Sequence, residues 1–215
     1  MIYVSPSLLS ANLSDLNNEM KKLLSSGADY AHVDIMDGNF VRNIAFGPSF
    51  VSSLKKCSSL PLDVHLMIKS PISYIDNFIN AGSDIITIHI ETVTNEDFDI
   101  IEKKVHEKGI KLGLTLRPST DFNLILPYLS RVDMVLVMSV EPGFSGQKFM
   151  PIGLDRLKEL SRLRKENNYS YLLEIDGGVD NTNYKACIEA GVDIIVSGSY
   201  LFSSEMERKI KEFKE

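Results

Sequence analysis

A chain of 215 residues with 44% hydrophobic and 24% charged residues has the length and balance of one large globular domain, residues 1–215, which sets aside disorder, collagen-like repeats and linker-dominated chains. A net charge of −6 gives no general attraction to nucleic acid or to an anionic membrane surface, so a phosphate-bearing partner has to be held by a local site, and small ligands are favoured. No apolar run approaches the ~20 residues that span a bilayer, Met1 to Pro6 lacks a basic-then-apolar export pattern, and Cys57 and Cys187 stand far apart in helical patterns, so a reduced, cytoplasmic setting is expected.

Along the chain, short apolar runs alternate with longer amphipathic stretches, a β-then-α rhythm repeated from end to end. The first strand is expected at Tyr3 to Ser7, followed by a helix opened by Ser14 before Leu16. Strands at Tyr30 to Asp34 and Leu62 to His65 flank a helix begun by Pro48, and Pro71 opens the next helix before a strand at Ile85 to His89. Asn95 begins the helix that leads to a strand at Lys111 to Leu116. Then come a helix at Phe122 to Leu129, a strand at Met134 to Met138, a helix at Leu154 to Lys165 and a strand at Tyr171 to Ile175. A helix at Asn181 to Ala190, a strand at Ile194 to Val196 and a helix at Ser203 to Phe213 complete the series. The phrases Gly27-Ala28-Asp29, Gly82-Ser83-Asp84 and Gly191-Val192-Asp193 recur just ahead of strands, where a left-handed glycine ends a helix. Eight strands match the α/β class as a (β/α)8 TIM barrel; an open doubly wound sheet competes, but its Gly-x-Gly-x-x-Gly after the first strand is missing.

Such barrels carry their chemistry at the C-terminal strand ends. There stand Ser7 and Ser10 after the first strand, His32 and Asp34 on one face of the second, His65, His89, and Asp176 after the seventh. Singly, each is as well explained as a hydrogen-bonded strand end. Together, two imidazoles and two carboxylates from separate strands make a four-ligand site suited to Zn²⁺, Fe²⁺, Mn²⁺ or Co²⁺. Three glycine-rich stretches follow the last strands: Gly143-Phe144-Ser145-Gly146, Asp176-Gly177-Gly178 and Gly198-Ser199. With no Walker pattern and no basic cluster, they fit one phosphate monoester rather than a nucleotide. Met36, Met67 and Met138 lie at or beyond strand ends; methionine usually fills cores, but beside a metal and two carboxylates these could cover a flat, electron-rich intermediate without donating protons.

The segments Ser5-Pro6-Ser7-Leu8-Leu9-Ser10, His32-Val33-Asp34-Ile35-Met36-Asp37-Gly38, Asp63-Val64-His65-Leu66-Met67, Met138-Ser139-Val140-Glu141-Pro142-Gly143-Phe144-Ser145-Gly146-Gln147, Glu174-Ile175-Asp176-Gly177-Gly178 and Ser197-Gly198-Ser199 resemble the ribulose-phosphate 3-epimerase family over about Val4 to Phe202. The resemblance implies a metal-dependent enzyme interconverting D-ribulose 5-phosphate and D-xylulose 5-phosphate with one divalent ion. It implies His32, Asp34, His65 and Asp176 as metal ligands, with Asp34 and Asp176 also the acid/base pair. Ser7, His65, Gly143, Phe144, Ser145, Gly146, Asp176, Gly177, Gly178, Gly198 and Ser199 fall at its substrate contacts. The implied partner is a phosphorylated ketose; neither nucleic acid nor membrane is expected, and a homo-oligomer is left open. Inverting a carbon beside a ketone needs two proton-transfer groups flanking a planar enediolate, a need that two carboxylates meet.

Three readings compete. A ketohexose-phosphate 3-epimerase acting on allulose 6-phosphate would share the chemistry, and His89-Ile90-Glu91-Thr92 resembles that subgroup. A barrel decarboxylase would need a catalytic lysine between aspartates, which His32-Val33-Asp34 lacks, and a non-catalytic sugar-phosphate binder would have no use for the Asp34 and Asp176 pair. Arg42, Arg117, Glu141 and Ser145 depart from the family's usual residues. Arg117 and Glu141 carry opposite charges at neighbouring strand ends, which leaves two readings open, a pair beside the mouth or two independent solvated charges.

Overall fold

The computed structural model describes residues 1–215. Its strands are β1 (Tyr3–Pro6), β2 (Ala31–Asp37), β3 (Ile44–Ala45), β4 (Leu62–Met67), β5 (Ile85–His89), β6 (Lys111–Leu116), β7 (Met134–Met138), β8 (Leu172–Asp176) and β9 (Ile194–Ser197). The sheet runs β1-β9-β8-β7-β6-β5-β4-β2-β3, parallel throughout except for β3, a short antiparallel arm on β2. It curls until β1 meets β2 at one bridge, Ser7 with His32, so the eight parallel strands form the expected TIM barrel.

Around it lie α1 (Leu16–Ser25), α2 (Pro48–Cys57), α3 (Ile75–Ala81), α4 (Asn95–Glu107), α5 (Ile152–Glu166), α6 (Tyr184–Glu189) and α7 (Met206–Lys214). None is long and apolar enough to cross a membrane. Between β6 and β7 the expected helix at Phe122 to Leu129 is instead a 3₁₀ segment, Phe122–Tyr128, because Pro127 inside it has no N–H for an α-helical bond. The last helix starts at Met206 rather than Ser203, after Glu205 at φ 64°.

Alternation along each strand divides the residues into two sets. Val33, Val64, Ile86, Leu114, Val135, Leu173 and Ile195 belong to the main core with Phe78, Phe98, Leu157 and Phe213 of the helical layer and its loops. Low in the barrel, Ile85, Met134 and Ile194 form an apolar plug with Tyr3, Tyr30 and Leu172. Above it the buried residues turn polar, with Ser5, His32, Asp63, Thr87 and Glu174. Gly113 belongs here because a Cβ would sit 2.2 Å from Thr87 Oγ1.

At the N-terminal end of the barrel the glycines of the recurring phrases adopt left-handed conformations: Gly27 at φ 82°, Gly82 at φ 97° and Gly191 at φ 99°. The aspartate after each one caps a neighbouring strand. Asp29 accepts from Val4 N, Asp84 from Leu62 N and Asp193 from Leu173 N, and Asp133 does the same for Leu112 N. Each also meets a basic side chain, from Lys214, Lys55, Arg164 and His106 respectively.

Candidate active site

The register of β2 against β4 sets His32 opposite Asp63 and Asp34 opposite His65, all within the barrel. One ligand atom each from His32, Asp34, His65 and Asp176 lies within 4.8 Å of the others. His32 Nε2 is 3.3 Å and His65 Nδ1 3.4 Å from Asp34 Oδ1, and Ser7 Oγ donates to Asp34 Oδ2 at 2.8 Å. Both imidazole nitrogens are buried without a hydrogen-bond partner. Such atoms are costly unless something satisfies them, and two nitrogens with two carboxylates match a divalent transition-metal ion. The residues therefore fit the implied group.

The two carboxyls differ in environment. Burial would raise the pKa of Asp34, but the His32 and His65 imidazoles beside it hold it far below the usual carboxylate range. Asp176 keeps partial access to the cleft, and burial followed by the Asp34 charge pushes it up to about 6. Burial opposes a charge on His32, yet Asp63 and Asp34 outweigh it and raise its pKa well above the ordinary value. One carboxyl is thus held ionised while its neighbour takes up a proton more readily, a separation suited to acid/base work.

Beneath this group lies a second one that sequence reasoning missed: His32, Asp63 and Glu174. His32 Nδ1 is 2.5 Å from Asp63 Oδ2. Burial, then the Asp63 charge, raises Glu174 well above the ordinary value. Alternation was the available signal, since Asp63 is two residues before His65 and Glu174 two before Asp176.

The glycine-rich stretches close a cleft of about 560 Å³ over these side chains. Ser7, Gly143, Phe144, Ser145, Gly146, Gly177, Gly178, Gly198 and Ser199 all line it, with Phe144, Ser145, Gly146 and Ser199 exposed at the mouth. The loops after β7 and β8 pack backbone on backbone, for a Cβ on Gly178 would come 2.7 Å from Gln147 O and Phe149 N. Ser10 also lines the cleft, its buried Oγ unpartnered and 2.6 Å from where a Gly198 Cβ would stand. Met36, Met67 and Met138 are buried at the cleft wall in small clusters apart from the main core, Met36 and Met67 with Val41, and Met138 with Leu136 and Val140.

Arg117 and Glu141 do not pair. Arg117 turns away from β7 and lays its guanidinium over the Phe40 ring, 4.1 Å from the centroid, donating from Nη2 to the Phe40 carbonyl. Its backbone N–H donates to Glu91 Oε1 at 2.7 Å. Glu141 forms no ion pair, and its carbonyl accepts from the Gln147 side chain. The aromatic face and free carbonyl of the loop after β2 outcompete the carboxylate.

Comparison with known proteins matches residues 3–202 to the ribulose-phosphate 3 epimerase family. Ribulose-phosphate 3-epimerase of Bacillus subtilis (strain 168) is 41% identical over 216 residues, spanning 100% of this chain and 99% of its own. The chloroplastic ribulose-5-phosphate-3-epimerase of Arabidopsis thaliana is 40% identical over 95% of this chain and 73% of its own. Among solved structures, 3-keto-L-gulonate-6-phosphate decarboxylase from Vibrio cholerae superposes with a TM-score of 0.74 at 15% identity, covering 99% of this chain and 95% of that one, a likeness of fold alone.

Proposed function

The chain belongs to the ribulose-phosphate 3-epimerase family, and on that footing we propose that it is an isomerase interconverting D-ribulose 5-phosphate and D-xylulose 5-phosphate in the cytoplasm, with residues 1–215 acting as one barrel domain. The observation that carries this reading is the convergence of Asp34 and Asp176 in one cleft, the first held ionised and the second raised to about 6.

His32, Asp34, His65 and Asp176 would hold one divalent ion, Zn²⁺, Fe²⁺, Mn²⁺ or Co²⁺. When bound, it supplies a Lewis acid that stabilises negative charge developing on the substrate oxygens. The proton transfers belong to the carboxyls. One takes the proton from C3, the other returns a proton to the opposite face of the planar enediolate, and the reverse reaction exchanges their roles. Ser7 steadies Asp34 through its 2.8 Å hydrogen bond. The sulfur-bearing wall of Met36, Met67 and Met138 covers the intermediate without offering it an acidic proton. The stretches Gly143 to Gly146, Gly177-Gly178 and Gly198-Ser199 hold the far end of the sugar and aim backbone N–H groups at its phosphate.

Incubation with ribulose 5-phosphate in D₂O tests the assignment. The expected product is xylulose 5-phosphate with deuterium at C3, with allulose 6-phosphate turned over more slowly. Release of CO₂, absence of exchange, or preference for the hexulose phosphate would overturn it.

A further inference from the structure

We propose that His89, backed by Glu91, is a positioning residue that fixes which nitrogen of His65 faces the metal centre, and that Asp63 does the same for His32 from the opposite side; this rests on the metal site proposed above. A neutral imidazole carries one N–H and one lone pair, so the partner of one nitrogen decides what the other can offer. His65 Nε2 lies 2.9 Å from His89 Nε2, a separation at which one ring must donate and the other accept. For His65 Nδ1 to keep its lone pair for a cation, the proton must sit on His65 Nε2 and His89 Nε2 must accept it. The proton of His89 is then on its Nδ1, which lies 3.4 Å from Glu91 Oε2, close enough for the charge to favour that tautomer although no hydrogen bond is formed between them.

Glu91 is fixed in turn. Its Oε1 accepts from Arg117 N at 2.7 Å and from Thr120 Oγ1 at 2.5 Å, so it stays an acceptor towards His89. The His65 and His89 rings meet edge to edge, nearly coplanar at an interplanar angle of 21° with centroids 5.0 Å apart, and Phe40 packs against His89 at 4.7 Å. On the other side a single link suffices, because Asp63 Oδ2 at 2.5 Å from His32 Nδ1 fixes the ring so that Nε2, 3.3 Å from Asp34 Oδ1, is the nitrogen turned to the site, where a cation would displace its proton. One placement of protons is compatible with both contacts, and the two ligands present different nitrogens, Nε2 from His32 and Nδ1 from His65.

The test uses the full-length protein, Zn²⁺ in competition with a chelator, and ¹⁵N spectra of the histidine rings without metal. The expected spectrum places the His65 proton on Nε2 and the His89 proton on Nδ1. His89→Leu, which cannot accept, should weaken Zn²⁺ binding about 10–100-fold, whereas His89→Gln, whose side-chain carbonyl still accepts, should stay within about threefold. Should His89→Leu not fold, Glu91→Leu should weaken binding about tenfold. A His65 proton on Nδ1, unchanged affinity in folded His89→Leu, or equal losses in the Leu and Gln variants would overturn the proposal. His65→Ala separates the two readings: if it still binds Zn²⁺ at the parent level the metal site itself is misplaced, and if it alone loses Zn²⁺ only the relay fails.

Discussion

The two ends of the barrel use the same kinds of side chain to opposite effect. At the N-terminal end Asp29, Asp84, Asp133 and Asp193 each cap a strand N–H and meet a nitrogen of a second side chain, a lysine or arginine for Asp29, Asp84 and Asp193 and the His106 imidazole for Asp133, so each carboxylate has its partners. At the C-terminal end His32 Nε2, His65 Nδ1 and Ser10 Oγ are buried with nothing to bond to, and Asp34 and Asp176 bring carboxyl oxygens within 4.8 Å of each other. A finished hydrogen-bond inventory marks the end that holds the fold together, and an unfinished one marks the end that waits for a ligand.

That contrast breaks most sharply at the carboxyl pair. Asp34→Asn and Asp176→Asn should each lower turnover of ribulose 5-phosphate by about 10³-fold or more, since general acid/base groups alone contribute roughly 10²–10⁴. Either variant within tenfold of the parent would show that the pair does not carry the proton transfers. Next come the imidazoles. Protein purified without chelator should hold about one divalent ion per chain, and His32→Ala or His65→Ala should lose it, as elemental analysis will reveal.

Acidity sharpens the comparison further. Because Asp176 is raised to about 6, a cation must displace its proton at lower pH. Zn²⁺ affinity should therefore fall as the pH drops, about tenfold per unit for each displaced proton. Equal affinity at pH 5 and pH 7 would exclude Asp176 as a ligand. On the phosphate side Gly198→Val should raise KM about tenfold while leaving kcat nearly intact, because the added side chain strikes Ser10 and blocks backbone N–H groups far from C3. A pure kcat defect would contradict this. The smallest effect on turnover belongs to the opposite end, where Asp193→Ala should cost about 1.5–3 kcal/mol of stability through Leu173 N–H and Arg164, yet leave kcat alone. Thermal melts beside rate measurements decide it.

The strands were legible because β-branched apolar runs such as Ile85 to His89 and Met134 to Met138 end at clear breaks, and period-two alternation put His32 and Asp34 together on one face. What one strand's pattern omits is its register against the next. Asp63 and Glu174 looked like ordinary strand residues, and only the pairing of β2 with β4 reveals Asp63 as the partner of His32. Arg117 misled for the same reason: adjacency along the rim suggested Glu141, while the loop after β2, distant in sequence, brought Phe40 closer. Pro127 was a readable signal against an α-helix, outweighed by the apolar spacing around it.

β1 pairs along its full length with β9, whereas its only ladder link to β2 is the bridge of Ser7, just past its end, with His32. The earliest-made strand of this barrel therefore waits for its latest-made one before its ladder can form. Closing residues 3–6 onto residues 194–197 spans nearly the whole chain, and contacts of such sequence separation are the slow ones in folding. A nascent chain halted before Ile194 presents an open sheet with a bare edge at β8, which in the finished barrel is covered by β9.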